Sequence, residues 1–298
     1  MNRIVITIFA LPHELDDLER LLVALSSAAR HVDGQAFEFN VIMSLSDSLT
    51  DWKSSTLRPD FFLARFTSLK KLTDWAGDSV FQVRDDVLGC VSARRVTHEE
   101  RPNASHFLWI DPDICFDQWA LRHLLWGLDI VNRDSHCKMY VLCPDTVRRG
   151  DASWDILVSD KYSQCPLGYS DTNNPFTDCG QVGTLEVRIV RNDIAGQPIF
   201  KFGGGWFTCV SKPLLDRIPL RAEMGHYGLD DTYLMWGMEF LHKRGELIDQ
   251  FNLHNYVVCE NVRYRDRSYF DLAIKRIDRK EEFSNLADAV VWDLVRKL

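Results

Sequence analysis

His106–Phe116, HFLWIDPDICF, decides the reading of this chain. Phe107, Leu108, Trp109 and Ile110 form an apolar run short enough for a buried strand, and Asp111, Pro112 and Asp113 end it. Ile114 and Cys115 then resume the apolar character, so both carboxylates sit beside buried positions, where an ionised group needs a partner to offset its lost hydration. Two carboxylates two positions apart at a strand end can offer oxygen ligands to one hard divalent ion, Mg²⁺ or Mn²⁺. An ion held there would neutralise a diphosphate and stabilise a nucleoside diphosphate as a leaving group. A bare Asp-x-Asp is common in solvated turns, and the flanking apolar residues are what set this one apart.

On either side of this stretch, strand and helix patterns alternate. Ile4 to Ala10 is β-branched and apolar, and Leu18, Leu21, Leu22 and Leu25 follow at helical spacing. Phe37 to Leu45 reads as a second strand, the stretch after Thr50 as irregular, and Val80 to Glu100 as a helix. Trp119 to Ile130 suits an amphipathic helix, and Met139 to Cys143 a buried strand stopped by Pro144. This order predicts an α/β fold: a Rossmann-like, mainly parallel central sheet with helices on both faces and ligands at the carboxyl ends of the strands. Thr146 to Pro198 breaks the alternation with clusters such as GYSDTNNPFTDCG around one strand, Thr184 to Val190, and reads as an irregular, acceptor-side segment. Asp278 to Leu298 reads as an amphipathic helix with Leu286, Val290, Val291, Leu294 and Val295 on one stripe.

The chain has 298 residues, 46% hydrophobic and 26% charged, a composition that excludes wholesale disorder and suits a single domain with a substantial core. Its formal charge of −8 argues against a generally basic nucleic-acid-binding surface. No stretch approaches the roughly 18 to 20 apolar residues of a membrane span, and the start, MNRIVITIFALPHELDDLER, lacks a signal-peptide pattern. A cytoplasmic protein is the expectation. Eight cysteines without a CxxC pair read as small buried thiols, not as zinc or redox sites.

Three further constellations carry chemistry. Phe200 to Ser211, FKFGGGWFTCVS, sets Gly204, Gly205 and Trp206 before an apolar run; glycines let a backbone approach a ligand and an indole offers a face to a sugar, the plain alternative being a bulged strand with a core Trp. Asp230 and Asp231 open an apolar, helix-like segment, where Asp ordinarily caps the helix. His254 lies in a polar break within FNLHNYVV, a position more often filled by a surface or core histidine than by a ligand. The Asn261–Arg267 cluster, NVRYRDR, suits a phosphate but equally a solvated face.

With the Asp111-Pro112-Asp113 tripeptide ending an apolar strand, the chain resembles the GT-A glycosyltransferases, in layout over most of residues 2 to 260 and in motif over short segments only. The resemblance implies one catalytic domain over 1–298, with a nucleotide-sugar-binding half at 1–145, an acceptor-side half at 146–260 and a C-terminal helical extension at 261–298. It implies metal ligation by Asp111 and Asp113, with Mn²⁺ or Mg²⁺ as cofactor, and adds His254 to the metal shell in preference to His226 or His242. It places Pro12, His13 and Glu14 against the nucleoside of a nucleotide-sugar donor, a UDP-sugar first among them, with Gly204, Gly205 and Trp206 also on the donor. It makes Asp231, ahead of Asp230, the general base of an inverting transfer to an acceptor hydroxyl. A divalent-metal nucleotidyl or phosphoryl transferase and a non-catalytic nucleotide- or carbohydrate-binding module remain the alternatives. The acceptor stays open among glycan, lipid, protein and a hydroxymethylated nucleic-acid base; Lys70, Lys71 and NVRYRDR alone favour the last.

Overall fold

β1 (Ile4–Ala10) is buried at all seven positions. Its side chains alternate: Ile4, Ile6, Ile8 and Ala10 enter one apolar cluster, and Val5 enters another on the opposite side of the sheet. A strand buried on both faces belongs at the middle of a parallel sheet covered by helices, and β1 occupies that place. The chain is seen in a computed structural model that describes residues 3–149, 186–189, 191–194, 197–200, 207–226, 229–261, 290–291 and 293–298.

After β1 come α1 (Leu15–Ala29), β2 (Phe37–Met43), α2 (Pro59–Leu69), β3 (Asp78–Val83), α3 (Cys90–Glu100), β4 (His106–Trp109), β5 (Ile114–Cys115), α4 (Ala120–Asp134) and β6 (Met139–Arg149). Beyond β6 are β7 (Glu186–Ile189), β8 (Arg191–Ile194), β9 (Gln197–Phe200), β10 (Thr208–Ser211), α5 (Lys212–Arg217), α6 (Asp230–Lys243) and β11 (Ile248–Asn261). Among the described residues one sheet has the order β3-β2-β1-β4-β10-β6-β11-β5, with β7 beside β11, while β8 and β9 pair separately. Pairing is parallel from β3 to β4 and between β6 and β11; β10 runs antiparallel to both its neighbours, as do β5 and β7 to β11.

Helices cover both faces. On one, Leu18, Leu21, Leu22 and Leu25 of α1 are fully buried with Phe62 and Phe66 of α2 and Leu121, Leu124 and Leu128 of α4. Each such leucine contributes about 1.5–3 kcal/mol by burial. On the other, Val91 of α3, Leu214 and Leu215 of α5, and Tyr233, Leu234, Met238 and Leu241 of α6 join Phe107 and Trp109 of β4. Val291, Leu294 and Val295, from the stripe expected in the C-terminal helix, also pack here; residues 278–289 and 292 of that segment lie outside the described residues.

Three local expectations are corrected. Val80 to Glu100 is not one helix: Val80, Phe81 and Val83 pair in parallel with Asn40 to Met43 of β2, and the helix begins only at Cys90, after an extended Gly89. β-branched and aromatic side chains next to an existing strand favour the ladder over the helix. The segment after Thr50 holds α2, which starts on Pro59, where a missing N–H costs nothing, and buries Phe62, Phe66 and Leu69. Pro144 does not stop β6; it stands opposite Leu253, where the ladder to β11 shifts register, and such irregularities accommodate a residue without a donor.

Candidate functional site

The carboxyl ends of the parallel strands β1 and β4 meet at one edge of the sheet, and the antiparallel β10 starts there with Thr208 opposite Trp109. After β4 the chain turns tightly, the Ile114 amide donating to the Asp111 carbonyl at 3.2 Å. Asp111 keeps 26% of its side chain exposed, whereas Asp113 is 4% exposed.

Arg94, on α3, joins this turn to a distant part of the chain. Its side chain is 5% exposed and lies over the Trp109 ring, with 5.0 Å from guanidinium to ring centroid. One terminal nitrogen, Nη2, donates to Asp111 Oδ1 at 3.0 Å, and the other, Nη1, donates to Asp230 Oδ2. Burial works against the guanidinium charge, but Asp230, Cys90 and Asp111 together outweigh it and raise the guanidinium above its ordinary value. The strand-end aspartate and the helix-opening aspartate, far apart in sequence, thus share one buried cation.

α6 begins from an unusual residue. Leu229 has φ 62 and ψ 10, the left-handed region that a bulky side chain seldom adopts, and its carbonyl accepts from the Tyr233 amide at 2.8 Å. This sets Asp230 inward, 3% exposed, and leaves Asp231 in a partly exposed position beside it. Burial, and next to it the charge of Asp230, push the Asp231 carboxyl up to about 7. The residues before α6 are also tied to α3: the His226 carbonyl accepts from the Val91 amide at 3.2 Å, and His226 Nδ1 lies 3.1 Å from Ser92 Oγ.

On the α1 side a second group of carboxylates gathers. Asp17 is 3% exposed, and burial pushes its carboxyl up to about 6; Arg20 acts in the opposite sense, while Asp113 and Glu14 raise it further. Arg20 Nη2 reaches Asp17 Oδ1 at 3.2 Å and Nη1 reaches Cys115 Sγ at 2.6 Å. Asp113 thus acts electrostatically on α1, through Asp17. Pro12, His13 and Glu14 form a buried single turn after β1, in which Glu14 Oε2 accepts from the Leu11 amide at 2.9 Å and His13 Nε2 stands 3.9 Å from Glu14 Oε1.

Asp111, Asp230 and Asp231 are thus brought together, and Glu14 and Asp113 lie within electrostatic reach of Asp17. His254 falls in β11 opposite Glu186, described in its backbone alone. Gly204, Gly205, Trp206 and all of NVRYRDR beyond Asn261 lie outside the described residues. Among the described residues no group of three or more His, Cys, Asp and Glu side chains is arranged to hold a metal ion. No helix among them is long and apolar enough to cross a membrane. Among the described residues, Cys90, Cys115, Cys137, Cys143 and Cys209 are buried or partly buried.

Two side chains that sequence reasoning passed over belong to this region. Arg94 stands three residues after Val91 and three before Thr97, on the buried stripe of α3. Asp17 stands four residues before Leu21 on the buried stripe of α1. A charge on an apolar stripe needs a partner, and that was the available signal.

A mixed sheet of this order, with a carboxylate turn following β4 and helices on both faces, defines a Rossmann-like α/β fold. Solved structures place it more closely: the chain has the GT-A-like fold of nucleotide-sugar glycosyltransferases. It matches the structure of S. aureus TarS 1–349 in complex with UDP at TM-score 0.50 and 12% identity, over 87% of this chain and 60% of that one. It matches a second S. aureus TarS 1–349 structure at TM-score 0.50 and 13% identity, over 88% and 60%. A structure of GalNAc-T7 with UDP, GalNAc and Mn²⁺ matches at TM-score 0.49 and 9% identity, over 88% of this chain and 44% of that one. The chain spans 60% of the TarS structures, and at these identities the likeness establishes the fold alone. No protein-family profile and no curated protein matches the sequence.

Proposed function

We propose that this chain is a metal-dependent, inverting glycosyltransferase that moves a sugar from a nucleotide-sugar donor, a UDP-sugar first among them, to an acceptor hydroxyl. The observation that supports this best is the meeting of Asp111, after β4, with Asp230, the neighbour of Asp231 at the start of α6, on the buried guanidinium of Arg94. A donor-side carboxylate and an acceptor-side carboxylate then border one place at the carboxyl ends of the strands, where such sheets bind ligands.

The donor set suits a hard divalent ion, because Asp111 and Asp113 offer carboxylate oxygens and Asp111 is a quarter exposed. One or two carboxylates suffice where the substrate's phosphates complete the shell, so Asp111 and Asp113, with His254 as a further ligand, would hold Mn²⁺ or Mg²⁺. Such an ion would supply charge neutralisation to the diphosphate leaving group. Pro12, His13, Glu14, Gly204, Gly205 and Trp206 are assigned to the donor.

Asp231 takes the acceptor proton. Its carboxyl, pushed up to about 7, suits a base at neutral pH, and it retains the exposure that Asp230 lacks. As the acceptor oxygen bonds to the anomeric carbon, the O–H proton passes to Asp231, and the bond to the phosphate oxygen breaks with its electron pair leaving on the nucleotide. Asp230, paired to Arg94, keeps the first turn of α6 in place. A nucleotidyl or phosphoryl transferase would use Asp111 and Asp113 alike but would leave Asp231 without a task.

Incubation with UDP-, GDP-, CMP- and dTDP-sugars and Mn²⁺, with water as surrogate acceptor, tests the proposal. Slow release of one nucleotide and its free sugar is expected. Turnover of nucleoside triphosphates to pyrophosphate, without release from any sugar donor, would instead identify the nucleotidyl transferase.

A further inference from the structure

We infer that Arg94 is a positioning residue that transmits occupation of the donor side to the acceptor side; this rests on the reading of the site as a nucleotide-sugar transferase. The guanidinium is planar, and its two terminal nitrogens keep a fixed relation, so whatever changes the acceptor on one prong acts on the other. Here the prongs reach two separate elements: Nη2 reaches Asp111 after β4, and Nη1 reaches Asp230 at the start of α6. The unit is buried, Arg94 at 5% and Asp230 at 4% side-chain exposure, so the charges are little screened by water. Asp111, at 26%, is the member that a diphosphate or its ion can reach.

A second tether points the same way. The first turn of α3 holds the residues before α6 through the Val91 amide and the His226 carbonyl, and through Ser92 and the His226 ring. Leu229, immediately before Asp230, is held in the left-handed conformation, away from its relaxed state. α3 thus contacts the chain ahead of α6 at His226 and the first residue of α6, Asp230, through Arg94. A ligand drawing on the Asp111 carboxylate alters how Arg94 divides itself between its two acceptors, and the first turn of α6, which carries Asp231, responds. The device would set the base only when a donor is present.

Hydrogen exchange of the amides in the first turn of α6, with and without UDP and Mn²⁺, tests this, with UDP affinity measured calorimetrically in parallel. In the native chain, nucleotide and ion are expected to change exchange in that turn by at least about threefold, as a local opening made easier or harder. Arg94→Lys keeps the charge but loses the two-pronged reach; it should bind UDP within about tenfold of the native chain while the response of α6 disappears. Arg94→Gln combined with Asp230→Asn removes both buried charges together and serves if the lysine variant does not fold. A merely structural Arg94 would shift exchange equally in the presence and absence of nucleotide. UDP binding by the native chain without a response in α6, or a response that survives in the variants, overturns the inference alone. Absence of UDP binding by the native chain overturns the transferase reading, and the inference with it.

Discussion

Asp231→Asn is expected to lower sugar transfer by about 10²- to 10⁴-fold, the usual contribution of a positioned base, while UDP affinity stays unchanged. The amide keeps the shape of the side chain and can still accept from the Thr232 amide, which donates to Asp231 Oδ1 at 2.8 Å, so the turn survives and the base is lost. Stability should move the other way. The ordinary carboxyl pKa is 3.8, and in the folded chain Asp231 is raised to about 7, so between these values the folded state holds a proton that the unfolded state has released. Native stability attributable to this group therefore falls as pH rises from about 4 to about 7, and the loss is complete above that. The Asn variant should gain on the native chain across that window, as urea unfolding at several pH values will measure. Native kcat/KM should rise with pH through about 7 to a plateau as the base ionises.

Asp111→Asn is the second large expectation. It should abolish most of the increment that Mn²⁺ gives to UDP binding, at least about tenfold or ~1.4 kcal/mol, and leave metal-free binding nearly unaltered. The fold should tolerate the change at a cost of roughly 1 kcal/mol, because an amide oxygen can still accept from Arg94. Asp230 remains to compensate the guanidinium. Removal of Arg94 itself is a different matter: it would strand the Asp230 charge in the interior, a loss of about 3–5 kcal/mol. Calorimetric titration of UDP with and without Mn²⁺, beside thermal unfolding of the ligand-free variants, separates these outcomes.

The parts of this fold that were legible in advance are those in which burial and local pattern agree. Ile4 to Ala10 reads as a strand because β-branched and aromatic residues fill it from Ile4 to Phe9, and it is one. Asp230 reads as a helix start and opens α6. Where the local pattern was mixed, pairing partners far away in sequence decided. Asp78 to Val83 is a strand because β2 stands beside it, and its own spacing continues without a break into that of α3. The segment 50–79 looked irregular because α2 buries only Phe62, Phe66 and Leu69, while Phe61 and Leu63 beside them are exposed and blur the apolar stripe.

The site follows the same division. Both aspartate motifs stand out from their apolar flanks, but nothing near either one signals that they meet, because the link is a side chain on a third element. Arg94 falls within SARRV, beside Arg95, and only helix geometry tells the two apart: one is 5% exposed and the other 25%. Asp113 illustrates the converse. Two residues from Asp111, it lies within electrostatic reach of Asp17 on α1, a neighbour that spacing in sequence could not reveal.

The most direct test of the account is a thermal-unfolding panel of UDP, GDP, CMP and dTDP, each with and without Mn²⁺, on the native chain and on Asp113→Ala. One nucleotide, UDP first among them, is predicted to raise the native midpoint only when Mn²⁺ is present, by linkage worth about 2.7 kcal/mol at a hundredfold excess over Kd, and to leave Asp113→Ala unmoved. A native chain that responds to none of the four, or that responds equally without the ion and in the variant, would contradict a metal-dependent nucleotide-sugar site at the end of β4.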